Sequence, residues 1–212
     1  MSGRSCADST YSGVPEEQCR LLEREGVSQV TVIGLSAGGG MAQMLLQRYP
    51  RLVDDVVLSH TGIMDRQPDV EAQMRRLTRL VRLLPMPVVR WILRNRTSST
   101  SVVSTPWRAF HDAYFRESSA AITKAMVLDF LRYGVELRER FEFRPGALNE
   151  WHGRMMILSS RDDTVTYAAT EGLRERYPRS GIHVVEEGGH HTFMLFPEAY
   201  TAKLKEFLER AR

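Results

Sequence analysis

The sequence predicts a three-layer α/β/α fold built on a mainly parallel sheet. Two observations carry this prediction: short runs rich in Val, Ile, Leu and Met, and helical patterns that follow most of them. Near-continuous apolar runs are typical of parallel strands covered on both faces. The predicted strands are residues 30–34, 56–60, 155–159 and 183–187.

Three helices are predicted to flank this sheet. They cover residues 38–49, 167–177 and 197–210. Pro50 ends the first of them, because a proline cannot continue a helix. In the last, Leu204, Phe207 and Leu208 recur at helical spacing. We therefore expect this face of the C-terminal helix to pack on the sheet.

A long helical insertion separates the second and third strands. In its first part the apolar residues share one helical face: Val70, Met74, Leu77, Leu80, Val81 and Leu84. Pro85 and Pro87 interrupt this helix. Further helices are expected at 88–94, 107–116 and 118–140, with a polar loop at 95–101. The chain is thus predicted to divide into a core, residues 1–62 and 152–212, and an insertion, residues 63–151.

A G-x-S-x-G motif, Gly34-Leu35-Ser36-Ala37-Gly38, joins the first strand to the first helix. A strand, this motif and a helix in that order are typical of a nucleophile elbow, which holds a serine hydroxyl exposed on a strained turn. We expect a side chain at position 34 or 38 to collide across the turn. Ser36 is the candidate nucleophile, and Leu35 beside it is a candidate pocket residue. The alternative is a serine in an ordinary glycine-rich turn.

The chain also offers a base and an acid. His190 follows the fourth strand, and Asp163 follows the third. A serine hydroxyl is a poor nucleophile until a base takes its proton, and histidine titrates near neutrality. We predict that His190 is the base and that Asp163 orients it, with His191 and Asp162 as alternatives on the same loops. His60 ends the second strand, where it either lines the pocket or is a hydrogen-bonded structural residue.

These segments together resemble the α/β-hydrolase superfamily, whose chain order is serine, acid, histidine. In the family's acid turn, G-x-x-D-x-x-V, Asp163 stands at the acid position, while Ser160 replaces the usual Gly and Thr166 replaces the usual Val. Its histidine segment is matched by Gly189-His190 followed by Pro197-Glu198. The resemblance covers roughly 26–62 and 152–211. It implies a partial α/β-hydrolase core, with residues 63–151 as a helical cap over the active site.

The resemblance implies a serine esterase or lipase-like enzyme that cleaves a carboxylic ester through an acyl-enzyme. Thioester, lactone and carbon–carbon cleavage are the alternatives within the fold. Ser36 argues against epoxide and haloalkane hydrolysis, which use an aspartate at the elbow. We expect a small-molecule acyl substrate, with no cofactor and no metal. The backbone N–H of Ala37 is expected in the oxyanion hole.

Relatives carry more strands before the elbow than this chain does. Gly3-Arg4-Ser5 resembles the tail of the G-x-G-x-S turn that precedes the elbow unit in relatives. Strand 30–34 is therefore expected to be an apolar edge that pairs with a second copy of the chain. Three interpretations stay open: a partner completes the sheet, the chain is a truncated interaction module with weak or no activity, or the recorded start is wrong.

Composition and charge bear on the possible binding partners of the protein and on its location. The 212 residues carry a net charge of +3, and no aromatic platform accompanies the basic residues, so nucleic-acid binding is not expected. The arginines at 75, 76, 79, 82, 90, 94 and 96 are expected to form a solvated face, with binding of an anionic substrate or of a membrane surface as alternatives.

Cys6 and Cys19 lack metal-ligand spacing. Without a signal core or a spanning segment, the predicted location is the cytoplasm.

Overall fold

The computed structural model describes residues 14–98, 104–144 and 146–209. The Gly3-Arg4-Ser5 segment and Cys6 lie outside these ranges. In chain order the elements are α1 (Val14–Arg24), β1 (Val30–Leu35), α2 (Ala37–Arg48), β2 (Val53–Ser59), α3 (Pro68–Leu83), α4 (Met86–Ser98), α5 (Arg108–Ala121), α6 (Lys124–Arg140), β3 (Arg154–Ser160), α7 (Tyr167–Arg176), β4 (Gly181–Val185), α8 (Thr192–Leu195) and α9 (Pro197–Glu209).

The four strands form one parallel sheet in the order β1-β2-β3-β4, which confirms the predicted fold class. Register places the last residues of neighbouring strands side by side: Leu35 pairs with Ser59, and Ser160 pairs with Val185. The elbow, the acid turn and the histidine loop therefore all leave the sheet at its carboxyl edge. Open parallel sheets bind their ligands at this edge.

Both faces of the sheet carry helices. Residues of α2 and α7, including Leu46 and Leu173, pack with Val56 and Ile157 on one face. On the other face Leu204 and Phe207 of α9 pack against a cluster of strand residues. The predicted packing of α9 is correct for these two residues but wrong for Leu208. That side chain is 44% exposed and is not among the residues packed against the strands.

Three predicted boundaries need correction. The fourth strand is Gly181–Val185 and not 183–187, because its pairing with β3 ends at Val185 opposite Ser160. The second strand is Val53–Ser59 and not 56–60: it includes Asp55, which is buried in an ion pair with Arg154 of the neighbouring strand, and it ends before His60. Residues 95–98, predicted as a loop, continue helix α4. Residues 99–101 of that predicted loop lie outside the described residues.

Helices α3 to α6 occupy the chain between β2 and β3. Helices α3 and α6 lie antiparallel, since Arg75 pairs with Glu139 while Lys124 Nζ donates to Arg82 O over 3.3 Å. Further along α6, Leu137 packs against Met44 of α2. No helix in the described part of the chain is long and apolar enough to cross a membrane.

One face of β1 is open. Ile33 is 47% exposed, and Thr31 on the same face is exposed as well. Among the described strands β1 lies at the end of the sheet. An open apolar strand at a sheet edge is the feature on which the expectation of a second copy depends, and that expectation stays a prediction.

Candidate active site

Ser36 occupies the strained turn between β1 and α2. Its φ is 52° and its ψ is −119°, a combination that residues other than glycine rarely adopt. Ser36 N donates to Ser59 O over 2.9 Å, so the turn is tied to the end of β2. Such strain costs on the order of 1–3 kcal/mol and persists only where the surrounding structure imposes it.

Two glycines make this turn possible. They are Gly34, as predicted, and Gly39 in place of the predicted Gly38. A Cβ on Gly34 would lie 2.6 Å from Gly38 O, a backbone atom that cannot move aside cheaply. A Cβ on Gly39 would lie 2.4 Å from the side chain of Thr61. The prediction for Gly38 is wrong: among the described residues nothing lies within 4 Å of a Cβ there. The close approach is between the helix backbone and Gly34, and position 38 points into open space.

Ser36, His190 and Asp163 form one hydrogen-bonded relay. Ser36 Oγ lies 2.8 Å from His190 Nε2, and His190 Nδ1 lies 2.9 Å from Asp163 Oδ2. The imidazole therefore bridges a hydroxyl and a carboxylate. The structure brings together the three residues that were predicted as nucleophile, base and acid.

Asp163 is held as a carboxylate in a buried position. Its side chain is 0% exposed. Burial by itself raises the pKa of Asp163, but hydrogen bonds from His190, Thr166 and Val165 outweigh burial and lower the pKa from 3.8 to about 2. Asp163 therefore stays charged at neutral pH, where it stabilises a proton on His190 Nδ1.

Asp162, the alternative acid, holds the histidine loop instead. Its carboxylate accepts from Gly189 N over 2.8 Å and from Gly188 N over 3.2 Å, and also from the Ser160 hydroxyl. The two adjacent carboxylates thus have different partners. Asp163 contacts the imidazole, and Asp162 contacts the backbone just before it.

His60 is fully buried and is held by hydrogen bonds on both ring nitrogens. It is 0% exposed, with a φ of 46°. His60 Nε2 lies 3.1 Å from Thr192 Oγ1, and Thr192 Oγ1 donates to Gly189 O over 3.0 Å. Since the Thr192 proton is used on Gly189 O, the hydroxyl accepts from His60 Nε2–H. His60 Nδ1 is then the acceptor for the Ser59 hydroxyl, 2.9 Å away.

These bonds form a chain with a single direction. Tyr200 Oη donates to Ser59 Oγ over 3.0 Å, and the chain continues through His60 and Thr192 to the carbonyl of Gly189, the residue before His190. It requires a neutral His60. Burial lowers the pKa of His60 from 6.5 to about 4 and so favours this neutral form.

His191, the alternative base, contacts the helical insertion, whereas the Ser36 hydroxyl contacts His190. Its Nδ1 lies 3.1 Å from His111 Nε2, and His111 Nδ1 lies 3.0 Å from Asp112 Oδ1. Burial, together with the nearby His111 and His190, lowers the pKa of His191 to about 4. This contact joins helix α5 to the histidine loop.

Ala37 is the first residue of α2, and the first N–H groups of a helix have no acceptor within it. The N–H of Ala37 is thus placed beside the Ser36 hydroxyl, at the positive end of the helix dipole. Tyr133 Oη of α6 donates to Ala37 O over 3.2 Å.

Buried Gln43 joins α2 to the loop after β2. Its side chain donates to Gly39 O and Gly62 O and accepts from Met64 N.

Leu35 ends β1 and is partly buried beside the elbow. A cleft of about 1090 Å³, lined by Arg51, Asp55, Trp151 and Arg154, lies at the amino edge of the sheet and not at the relay. The relay is the candidate site, because a hydroxyl, an imidazole and a carboxylate converge there and not in this cleft. The described residues contain no cluster of side chains suited to a metal ion.

Comparison with known proteins places this chain in a family. A profile of the alpha/beta hydrolase family matches residues 4–203. The chain therefore belongs to the alpha/beta hydrolase family. No curated protein matches the sequence.

Several solved structures are similar to this chain. An esterase from Exiguobacterium antarcticum has a TM-score of 0.73 at 18% identity, over 94% of this chain and 74% of that chain. A structure from a study of Nitrososphaera gargenis carboxylesterases has a TM-score of 0.73 at 18% identity, over 94% of this chain and 72% of that one. A bromoperoxidase from Bacillus anthracis has a TM-score of 0.71 at 18% identity, over 94% and 74%. At such identities the similarity shows the fold alone.

Sequence reasoning missed four supporting residues: Thr166, Thr192, His111 and Tyr133. Thr166 donates to Asp163, and it was noted only as a departure from the family's usual valine. The Gly-His-His-Thr run held a signal for Thr192, because a hydroxyl three residues after Gly189 can reach back to its carbonyl. Nothing in the sequence around His111 or Tyr133 points to the relay.

Proposed function

We propose that the protein is a serine hydrolase that cleaves a carboxylic ester or a related acyl bond through an acyl-enzyme. The observation that carries the proposal is the unbroken Ser36–His190–Asp163 relay on a strained elbow. A serine in an ordinary glycine-rich turn has no need of a positive φ or of an imidazole on its hydroxyl. Membership of the family and the esterases among the similar structures support the same class.

In the first half of the reaction Ser36 Oγ attacks the acyl carbonyl while His190 Nε2 takes its proton. The carbonyl oxygen becomes an oxyanion, and the N–H of Ala37 donates to it. The imidazolium then gives its proton to the leaving alkoxide, which departs as an alcohol and leaves an ester on Ser36. Throughout, the charged Asp163 stabilises the imidazolium and keeps Nε2 aimed at Ser36.

The second half repeats these steps with water as the nucleophile. His190 takes a proton from the water, which attacks the acyl-enzyme. The acid product leaves as Ser36 regains its proton. Thioesters, lactones and carbon–carbon bonds beside a carbonyl fit the same sequence of steps, and they remain the alternative substrates.

Helices α3 to α6 are proposed to act as a cap. Two contacts support this: Tyr133 of α6 reaches the carbonyl of Ala37, and His111 of α5 reaches the histidine loop. The insertion thereby touches the loop of the nucleophile and the loop of the base. A substrate that reaches Ser36 would therefore contact the insertion as well as the two catalytic loops.

Labelling with a fluorophosphonate probe tests the proposal. The parent protein should be labelled, and Ser36→Ala should not. Ser28→Ala is the matched control, because Ser28 is an exposed serine two residues before β1 and should leave labelling unchanged. Equal labelling of the parent and of Ser36→Ala would refute the proposal.

Ester turnover separates this proposal from the alternative of a non-catalytic interaction module. The parent should hydrolyse p-nitrophenyl acetate or butyrate, and Ser36→Ala should abolish the turnover. A folded parent without turnover on esters and thioesters and without labelling would favour the interaction module.

A further inference from the structure

The basic residues of this chain are distributed very unevenly. Residues 72–111 contain eight arginines and no lysine, aspartate or glutamate, although the whole chain has a net charge of only +3. This stretch includes most of α3, all of α4 and the start of α5. Its charge is therefore concentrated on one part of the helical insertion.

Several of these arginines have no counter-charge among the residues that the structure describes. Arg76, Arg79 and Arg82 are exposed, and within the described residues their guanidinium groups make no ion pair. Arg75, on another side of α3, is paired with Glu139 of α6. An ion pair therefore accounts for Arg75 but not for the other three cations of α3.

Large apolar side chains are exposed among these cations. Leu83 is 84% exposed, Trp91 58% and Leu80 47%. At about 100° per residue, Leu80 and Leu83 lie on the same side of α3 as Arg76 and Arg79. Leu80, which shares the apolar face predicted for this helix, is therefore not buried there.

The same part of the insertion includes the start of α6. Lys124 Nζ donates to Arg82 O, and Met126 nearby is 55% exposed. Arg90 of α4, the neighbour of Trp91, donates to Ile122 O just before α6, so the first half of α4 also lies near the end of α3. We call this surface the α3–α4 corner and define it by Arg76, Arg79, Leu80, Arg82, Leu83 and Trp91.

We propose that the α3–α4 corner binds the surface of an anionic lipid bilayer. The occupant must present negative charge and an apolar medium side by side, because cations and apolar side chains alternate within the corner. Anionic headgroups above acyl chains provide both. A second copy of the corner would repel the first, since the stretch contains no acidic residue. On the adjoining α6, Asp129 is already paired with Arg132.

The chemistry of the side chains fits an interfacial depth and not a spanning one. Tryptophan and leucine insert into the boundary between headgroups and chains, while arginines contact the phosphates. Each basic residue near an anionic surface strengthens binding by about fivefold. The three unpaired arginines of α3 should together contribute about 100-fold.

Vesicle sedimentation tests the proposal without relying on activity. The Ser36→Ala protein is used so that no lipid is hydrolysed. It should sediment with equimolar phosphatidylglycerol–phosphatidylcholine vesicles and much less with phosphatidylcholine alone. The triple variant Arg76→Gln, Arg79→Gln, Arg82→Gln should lose about 100-fold in apparent affinity. The control Arg20→Gln, Arg24→Gln, Arg174→Gln removes the same charge elsewhere and should bind within a few-fold of the parent.

The apolar part of the corner has its own matched pair. Leu83→Ser with Trp91→Ser should weaken binding to the mixed vesicles by at least tenfold. Leu21→Ser with Leu208→Ser removes leucines that are 55% and 44% exposed on α1 and α9 and should not weaken it.

Two results would overturn the proposal: no sedimentation of the Ser36→Ala protein with the mixed vesicles, or equal binding by the corner and control variants. Binding to soluble polyaspartate but not to vesicles would also overturn it and would favour an acidic protein as the partner. Because binding is measured on an inactive protein, failure here is distinct from failure of the proposed hydrolase function.

Discussion

Asp163→Asn tests the proposed relay sharply, because the surrounding donors fix how the new amide is oriented. Asp163 Oδ1 accepts from Val165 N over 2.8 Å and from Thr166 N over 3.1 Å. The amide oxygen of the asparagine must take that position, so its NH₂ group faces His190 Nδ1. Two donors cannot share a hydrogen bond. The imidazole must then carry its proton on Nε2, where it can no longer accept the proton of Ser36.

The expected loss is large in rate and modest in stability. An imidazole in the wrong tautomer lowers kcat by about 10⁴-fold, which corresponds to about 5 kcal/mol of transition-state stabilisation. A change of the Asp163 pKa from 3.8 to about 2 corresponds to about 2.5 kcal/mol of stability at neutral pH. Because the folded-state pKa lies below the unfolded value, this contribution is present above about pH 4 and is lost as the pH falls toward 2.

The assay compares Asp163→Asn with Asp162→Asn in ester turnover and in the rate of fluorophosphonate labelling. Asp162→Asn disturbs the backbone at Gly188 and Gly189 but leaves the imidazole–carboxylate contact, so its loss should stay below about 10²-fold. Circular dichroism checks that both variants are folded. The reasoning fails if folded Asp163→Asn keeps kcat within tenfold of the parent, or if the two variants lose equally.

Four further outcomes are expected. In urea unfolding, Gly34→Ala should cost about 3 kcal/mol, whereas Gly38→Ala, with open space at its Cβ, should be neutral or stabilising by about 0.5–1 kcal/mol; equal losses would contradict the packing. Thr192→Val should cost about 1–3 kcal/mol by leaving two buried partners unpaired, and Thr192→Ser should cost less; the reverse order would exclude the hydroxyl chain. Burial lowers the pKa of His60 from 6.5 to about 4, so the unfolded chain binds more protons and the free energy of unfolding should fall between about pH 6.5 and 4; a flat profile in denaturant titrations would be contrary evidence. If β1 pairs with a second copy, native mass spectrometry should detect dimers that Ile33→Lys abolishes, while a parent that is monomeric at every concentration rules this out.

Most of the fold was predictable because its signals are local. The β-branched run before Gly34 and the apolar run before Ser160 each mark a parallel strand without reference to the rest of the chain. The ends of elements were less predictable. The fourth strand ends at Val185 because its partner ends there, and helix α4 includes residues 95–98 although their polar side chains favour a loop. Weak propensity yields to packing in both cases.

The residues of the relay were predictable because their signals are local as well. A serine on an elbow, an acid after one strand and a histidine after the next are each recognisable within a few residues. The contacts that hold them are not local. His60 and Thr192 are 132 residues apart, Ala37 and Tyr133 are 96 apart, and His111 and His191 are 80 apart. Such pairs can be found only once the sheet has brought its carboxyl edge together.

Backbone strain at the site is also a consequence of the sheet. Among the described residues the only non-glycine positions with positive φ are Ser36 and His60, and each directly follows a strand. Ser36 N donates to Ser59 O on the next strand, and His60 N donates in turn to Leu158 O over 2.8 Å. The hydrogen-bond ladder thus continues one residue past each strand end and holds that residue in a costly conformation. Because β2 supports Ser36 while β3 supports His60 and through it the loop of His190, the distance between the proposed nucleophile and base depends on the register of three adjacent strands.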